Sequence, residues 1–146
     1  MKQEISEITV AYRPERKTGP EIRSSNQAYR VLQELFDKDA FHLREEAICL
    51  YLNKANKVLG WYRVSTGGIS GTVVDIRIVL SVALKGVACS IVMAHNHPSG
   101  NLRPSVHDIE LTRKLKESAR LMDITLFDHL ILSSQGYFSF ADEGHL

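Results

Sequence analysis

The sequence predicts an α/β domain in which helices and strands alternate around one sheet. With 146 residues, 44% of them hydrophobic and 24% charged, the chain has the size and composition of a single globular domain. Apolar residues recur at helical spacing in three segments, and short apolar runs lie between these segments. One run, ACSIVMA at 88–94, is apolar apart from Ser90, which is typical of a central strand covered on both faces.

The chain is predicted to divide into an N-terminal extension, residues 1–21, and a domain, residues 22–146. Residues 4–12 (EISEITVAY) are predicted to form a strand. A loop containing Pro14 and Pro20 follows, and it is the segment most like a linker. A tail of this length is too short to be a domain of its own.

The domain is predicted to begin with a helix and a hairpin. Ser24 or Ser25 can cap the helix, whose apolar face is predicted to carry Ala28, Val31, Leu32 and Leu35. The run AICLYL at 47–52 is a predicted strand, residues 53–56 (NKAN) are a turn, and residues 57–65 are extended. Together these three segments predict a hairpin.

The remaining elements alternate along the second half of the chain. The glycines of TGGISG at 66–71 interrupt the pattern, and Asp75 then starts a helix. Its predicted apolar residues are Ile78, Val79, Val82 and Ala83. Residues 105–122 predict a long helix with Leu111, Leu115 and Met122 in register. Residues 124–132 and 137–140 predict the last two strands, with a turn between them.

Composition excludes some classes of protein. The formal net charge of +1 gives no overall attraction to DNA or RNA. No apolar run reaches the roughly 18 residues of a membrane span, and the N-terminus MKQEISEITV lacks an apolar signal region. We therefore expect a cytoplasmic protein without a membrane partner. Cys49 and Cys89 lie in apolar runs and are predicted to be small buried hydrophobic residues rather than ligands.

The motif that indicates function follows the predicted central strand. His95 and His97 flank Asn96, so in an extended segment both imidazoles point to the same side. Ser105 then opens a helix with Asp108 in its first turn. Two nitrogens and one carboxylate oxygen suit zinc and leave a fourth position for water. The alternative is that Ser105 and Asp108 form only a capping box that satisfies helix amides.

The segment AHNHPSG followed by PSxxD resembles the JAMM signature of JAB/MPN-type metalloproteases, in the form found in the RadC-like group. The segments LYLNKANKVLG, STGGISGTV, LFDHLILS and GYFSFADEG are also similar, so the resemblance covers residues 22–146. It implies a JAB/MPN, cytidine-deaminase-like fold: a mixed, curved β-sheet flanked by helices. We expect a short form of the family, without the helix-hairpin-helix region that precedes this domain in longer RadC proteins.

The resemblance also implies roles for individual residues. His95, His97 and Asp108 would bind Zn²⁺, Glu45 would be the general acid-base, and Ser105 would stabilise the oxyanion. Glu46 is the alternative base, because a one-residue slip exchanges which side chain faces the site; both glutamates could also be solvated carboxylates at a strand start. The other histidines are expected to be structural or exposed: His42, His107, His129 and His145.

The function implied is that of a zinc-dependent metallohydrolase that cleaves a peptide or isopeptide bond of a peptide or protein substrate through a metal-activated water. Two alternatives are a DNA-repair-associated RadC-like protein, which the charge does not support, and a non-catalytic MPN-like binding module. Many relatives carry Pro-Arg-Glu where this chain has Ile76-Arg77-Ile78, a difference that bears on recognition rather than on zinc. The substrate and the oligomeric state are not specified by any motif.

Overall fold

The fold consists of three α-helices and five β-strands, counted over the residues that the computed structural model describes: 5–15, 18–68, 71 and 73–146. The elements are α1 (Ser25–Gln33), β1 (Glu46–Leu52), β2 (Val58–Thr66), α2 (Ile76–Lys85), β3 (Ser90–Asn96), α3 (Val106–Leu121), β4 (Thr125–Ser133) and β5 (Gly136–Ser139). The predicted α/β class, with a mixed sheet flanked by helices, is confirmed.

The five strands form one mixed sheet in the order β2-β1-β3-β4-β5. β1 runs antiparallel to both of its neighbours, β3 and β4 are parallel, and β5 is antiparallel to β4. A parallel pair needs a crossover connection, which here contains α3. Because β1 and β3 are antiparallel, β1 begins at the edge of the sheet where β3 ends and where the chain leaves for α3.

Side chains that alternate along the central strands divide the core into two layers. Even-numbered residues of β1 and β3 pack toward α1, in a layer that contains Ile48, Leu50, Leu52, Val92, Ala94, Ala28 and Leu32. Odd-numbered residues pack toward α2 and α3, in a layer that contains Ala47, Cys49, Tyr51, Ile91, Met93, Val79, Ala83, Leu115 and Ala119. A residue's parity therefore decides which side of the sheet its side chain reaches.

The first two helices are capped as the sequence predicts. Ser24 accepts a hydrogen bond from the Gln27 N–H at the start of α1, and Asp75 accepts one from the Arg77 N–H at the start of α2. The apolar face of α2 differs from the prediction, because Ile78 is 40% exposed and the buried residues are Val79, Leu80 and Ala83. Apolar residues lie on both sides of this helix, so spacing alone could not select the buried face.

The longest helix, α3, buries a partly polar stripe. Its buried residues are Asp108, Thr112, Leu115 and Ala119. The predicted register of Leu111, Leu115 and Met122 is wrong at its last member, since Met122 is the C-cap residue and is 52% exposed. A search for apolar periodicity misses a face that starts with an aspartate and a threonine, and those two residues lie at the candidate site.

Two further predictions, a strand near the N-terminus and a buried Cys89, are wrong. The strand expected over residues 4–12 is wrong for its described part, because residues 5–12 form neither strand nor helix; residue 4 lies outside the described residues. Cys49 is buried in β1 as expected, but Cys89 is exposed and precedes β3.

Within the described ranges, no helix is both long and apolar enough to cross a membrane.

Candidate metal centre

Two antiparallel strands bring Glu45 and the two histidines to one edge of the sheet. Ala47 pairs with His95, and this register continued by two residues sets Glu45 opposite His97. His97 lies one residue past β3, but its N–H still bonds the Leu132 carbonyl at 2.9 Å, so the extended conformation continues. All three residues are odd-numbered and therefore face α3, on the same side of the sheet.

The helix that follows adds Ser105 and Asp108. The Ser105 hydroxyl accepts a hydrogen bond from the Asp108 N–H at 3.0 Å, and Asp108 Oδ2 accepts one from the Ser105 N–H at 2.8 Å. The capping box that the sequence offered as an alternative is therefore present. It does not turn the carboxylate away, because Asp108 Oδ1 lies 3.2 Å from His95 Nε2 and Oδ2 lies 3.3 Å from His97 Nε2.

The distances between these groups match those between ligands of one metal ion. The Nε2 atoms of His95 and His97 lie 3.0 Å apart, and each lies 3.2–3.3 Å from an oxygen of Asp108. In a tetrahedral zinc site with bonds of about 2.0–2.1 Å, the ligand atoms lie about 3.3–3.4 Å from one another. The two nitrogens and the carboxylate therefore lie at nearly the spacing of zinc ligands, with each imidazole beside a different oxygen of Asp108.

The hydrogen bonds of the imidazoles direct their lone pairs toward this point. His97 Nδ1 lies 2.6 Å from the Asn101 carbonyl, which can only accept, so Nδ1 carries the proton and a neutral ring has its lone pair on Nε2. His95 Nδ1 contacts His129 Nε2 at 2.9 Å, so the other ring nitrogen of His95, Nε2, is the one that faces His97 and Asp108. Among the ion pairs of the described residues, none brings a lysine or arginine to Asp108 or Glu45. This set of donors fits a divalent cation.

Glu45 and Glu46 lie on opposite faces of the sheet. Glu45 is half-buried, and its Oε1 lies 3.7 Å from His97 Nε2. Within the described part of the chain, candidate ligand atoms of Glu45, His95 and His97 all lie within 4.8 Å of one another. Glu46 is buried on the other face and pairs with Arg63 at 2.8 Å. Glu45 is thus the glutamate beside the imidazoles; whether it acts as a base or as a ligand stays a prediction.

The charges of the cluster shift two pKa values in opposite directions. For Asp108, burial alone would raise the pKa, but hydrogen bonds with His95 and His97 hold it well below its usual value. For His97, burial alone would lower the pKa, but the hydrogen bonds to Asp108 and to the Asn101 carbonyl, together with the charge of Glu45, raise it above the usual value. A carboxylate that stays ionised across the neutral range is suited to hold a cation.

The site opens into a small cavity. Its volume is about 270 Å³, and its lining residues are Glu45, Gly71, Val74, His95, His97, Ser105, His107, Asp108 and Leu111. Ser105 is exposed there, and its hydroxyl donates to none of the described residues although its oxygen accepts from Asp108. His107, expected to be structural or exposed, is exposed and lies at the rim of this cavity. Ligation by His107 has no support in the arrangement.

Two neighbours of the site were not found from the sequence. His129 in β4 and Thr112 in α3 are both buried and lie behind His95, away from the cavity. Neither belongs to a spacing motif, and their contact depends on how β4 aligns with β3. The buried thiol of Cys49 packs in the apolar layer between the sheet and α2 and α3 and does not line the site cavity; burial raises its pKa to about 12.

Comparison with known proteins identifies the family. The model of the RadC-like JAB domain matches residues 22–145, and the chain belongs to that family. The resemblance to the RadC-like family that the sequence predicted is thereby confirmed, and the mixed sheet flanked by helices fits the JAB/MPN fold. The predicted division between residues 21 and 22 stays a prediction.

Three relatives, each named "UPF0758 protein", show the extent of the match. The Flavobacterium johnsoniae protein is 40% identical over 123 residues, which are 84% of this chain and 52% of the relative. The Porphyromonas gingivalis protein is 41% identical over 126 residues, 86% of this chain and 54% of the relative. The Aquifex aeolicus protein is 38% identical over 130 residues, 89% of this chain and 54% of the relative. The chain spans about half the length of these relatives.

Proposed function

We propose that the protein is a zinc-dependent metallohydrolase of the JAMM type, and that it cleaves a peptide or isopeptide bond. One observation carries the proposal: two imidazole nitrogens and a carboxylate meet at mutual distances of 3.0–3.3 Å, and a half-buried glutamate lies beside them. The JAB domain superfamily includes metallopeptidases, which agrees with this chemistry.

His95, His97 and Asp108 would hold the zinc. When bound there, zinc supplies a Lewis acid that polarises the scissile carbonyl and lowers the pKa of a coordinated water. Three protein ligands leave a coordination position free, as hydrolytic zinc sites do. His97 is fixed by the Asn101 carbonyl and Asp108 by the Ser105 N–H, so the ligands are oriented before the ion arrives.

Glu45 would move the proton. Its carboxylate lies 3.7 Å from His97 Nε2, a distance longer than the three between the proposed ligands. That position suits a base that accepts a proton from the attacking water and delivers it to the leaving nitrogen. The backbone of Glu45 is held by two hydrogen bonds, from its N–H to the Gly68 carbonyl and from the Gly67 N–H to its own carbonyl.

Ser105 and a neighbouring groove would bind the substrate. The Ser105 hydroxyl can accept from Asp108 N–H and still donate its own proton to the oxyanion. A groove of about 1030 Å³ lies between α2 and α3, and it shares Val74, His107 and Leu111 with the site cavity. An extended peptide in this groove would reach the site, which favours a peptide or protein substrate over a small molecule.

The test combines metal analysis with a peptidase screen of purified protein. The parent and His97→Ala are stripped of metal, reloaded with zinc and assayed for zinc per chain. Both are then incubated with a peptide library and with isopeptide-linked peptides, and the products are analysed by mass spectrometry. We expect one zinc per parent chain and new cleavage products, and neither with His97→Ala. A zinc-loaded parent that cleaves none of these substrates, or a variant that cleaves them equally well, contradicts the proposal.

The same preparation separates the two alternatives. A chain that binds no zinc at saturating concentration would favour a non-catalytic binding module. Retention on DNA that weakens as salt rises would favour a DNA-associated protein, and no retention at low salt would dismiss that alternative.

A further inference from the structure

A chain of hydrogen bonds lies behind the candidate metal centre. His129 is fully buried, and its two ring nitrogens contact only His95 and Thr112 among the described residues. His95 Nδ1 lies 2.9 Å from His129 Nε2, and His129 Nδ1 lies 2.6 Å from Thr112 Oγ1. Thr112 Oγ1 in turn donates to the Asp108 carbonyl at 2.7 Å. The chain thus links one proposed ligand to the backbone of another.

The last acceptor sets the direction of every proton in this chain. A carbonyl oxygen can only accept, so the single Thr112 hydroxyl proton is donated to Asp108. Thr112 Oγ1 must then accept from His129, whose proton therefore lies on Nδ1. A neutral His129 has an unprotonated Nε2, which must accept from His95 Nδ1. His95 is left with its lone pair on Nε2, the atom that faces His97 and Asp108.

The surroundings of His129 keep its ring neutral and fixed. The ring is fully buried, hydrogen-bonds to no carboxylate of the described residues, and lies parallel to the Phe140 ring with centroids 4.8 Å apart. A charged imidazole in such an environment is strongly disfavoured. With Phe140 against one face, the ring is favoured in the orientation that gives both of its nitrogens a hydrogen-bond partner.

A bulge in β4 brings His129 to this side of the sheet. Ile91 pairs with Leu126 and the next residue, Val92, pairs with Asp128, so Phe127 is an extra residue in β4. An extra residue shifts the alternation of side chains by one. His129 then pairs with Met93 and lies on the same face as Met93 and His95. With uninterrupted alternation, His129 would face α1 and could not reach the site.

We propose that His129 and Thr112 are positioning residues that hold His95 in its metal-binding tautomer before the metal arrives. This inference rests on the proposed zinc site and deepens it. A threonine hydroxyl that bonds the carbonyl four residues earlier is common in helices, and a buried histidine is often only a packing residue. Neither ordinary role requires the two side chains to meet each other and a proposed metal ligand in one directed chain.

The test compares Thr112→Val with Thr112→Ser. Valine keeps the shape of threonine but removes the hydroxyl, so His129 loses the acceptor that holds its proton on Nδ1. The His129 proton can then move from Nδ1 to Nε2 and be donated to His95 Nδ1. His95 would then carry its own proton on Nε2. Serine restores the hydroxyl. Ser25→Ala is the matched control, because it removes a buried hydroxyl that bonds Tyr137 and Asp142 on the other side of the sheet.

Two readouts are measured on the folded variants. The first is the tautomer of His95 in metal-free protein, from ring ¹H–¹⁵N correlation spectra at mildly alkaline pH. The second is the zinc dissociation constant, from competition with a chromogenic chelator. We expect His95 Nδ1–H in the parent, in Thr112→Ser and in Ser25→Ala. In Thr112→Val we expect a shift toward Nε2–H and zinc binding weaker by about 10- to 100-fold, as for other groups that orient metal ligands.

The outcomes separate this inference from the proposed function. If Thr112→Val leaves both the tautomer and the zinc dissociation constant unchanged, the inference is wrong even where the parent binds zinc and cleaves peptides. If the parent cleaves nothing but the His95 tautomer still changes in Thr112→Val, the inference holds and the hydrolase proposal fails. Should Thr112→Val not fold, His129→Phe takes its place, because phenylalanine cannot accept from His95 Nδ1–H. His129→Gln is then the conservative variant, because its amide oxygen can accept.

Discussion

The polar side chains at the ends of β1 and β3 have different partners on the two faces of the sheet. On the α1 face, Asn96 accepts from the Glu46 N–H and donates to the Phe41 and Arg44 carbonyls, and Glu46 pairs with Arg63. On the α3 face, one residue away along each strand, Glu45, His95 and His97 direct lone pairs and charge toward one another. On the first face, Asn96 and Glu46 bond oppositely polar partners within the protein, whereas on the second face imidazole nitrogens and carboxylates converge at the proposed cation site.

This difference explains why neighbouring residues of similar type have different roles. Donors and acceptors that pair with each other, as those of Asn96 do with the backbone, stabilise the fold. Groups of like polarity that converge raise the free energy of the folded protein unless a ligand binds between them. Such groups are typical of functional sites. Substitutions on the α3 face should therefore change chemistry, and substitutions on the α1 face should change stability.

Among variants that keep all three proposed zinc ligands, the largest expected effect is that of Glu45→Gln. Glutamine keeps the size of the side chain but cannot take the proton, so kcat should fall by about 10²- to 10⁴-fold while zinc content and melting temperature stay near those of the parent. Steady-state kinetics and metal analysis of the same samples measure both. Loss of zinc in Glu45→Gln would instead make Glu45 a ligand and close the site.

The next effect is that of Ser105→Ala. Loss of the hydroxyl donor should lower kcat by about 10²- to 10³-fold, and loss of the cap should lower the free energy of unfolding by about 1 kcal/mol. Ser105→Thr keeps the hydroxyl and should retain most of both. A Ser105→Ala variant with the stability loss alone would show that Ser105 is only a helix cap.

On the α1 face, Asn96→Ala should reduce stability and leave the chemistry intact. It leaves the Glu46 N–H and two carbonyls without their partner, at about 1 kcal/mol or more for each, so the free energy of unfolding should fall by about 3 kcal/mol. Urea denaturation measures this loss, and zinc titration of the folded protein should give the parent dissociation constant. Weakened zinc binding in the folded protein would mean that the two faces are not independent.

The smallest effect is expected for Glu46→Gln. In the Glu46–Arg63 ion pair the glutamate is buried, but the arginine side chain is 39% exposed. Solvent screening therefore reduces the contribution of the pair to the free energy of unfolding to about 1 kcal/mol. Chemical denaturation should show that loss, and kcat should equal that of the parent. A kcat loss as large as that of Glu45→Gln would mean that Glu46 acts as the base.

Much of this arrangement could be predicted from the sequence. The H-x-H pair after an apolar strand and the aspartate in a first helical turn follow from local spacing, and the structure brings all three together. The choice between Glu45 and Glu46 could not be made in this way, because it depends on the register of β1 against β3, a non-local pairing.

The His129–Thr112 chain was beyond sequence reasoning for a related reason. The β4 bulge at Phe127 leaves no signal in apolar periodicity, yet it decides that His129 faces His95. The same limit applies to α3, where the buried stripe starts with Asp108 and Thr112 rather than with apolar residues. At the candidate site, buried polar side chains replace the apolar pattern from which helix faces are predicted.

The most direct test is a crystal structure of the protein grown with zinc. The account predicts one zinc ion about 2.0–2.2 Å from the Nε2 atoms of His95 and His97 and from an Asp108 oxygen, with solvent in the fourth position. Glu45 should lie near that solvent and not on the metal. Histidines without an ion at saturating zinc, or a Glu45 oxygen in the fourth position, would contradict it.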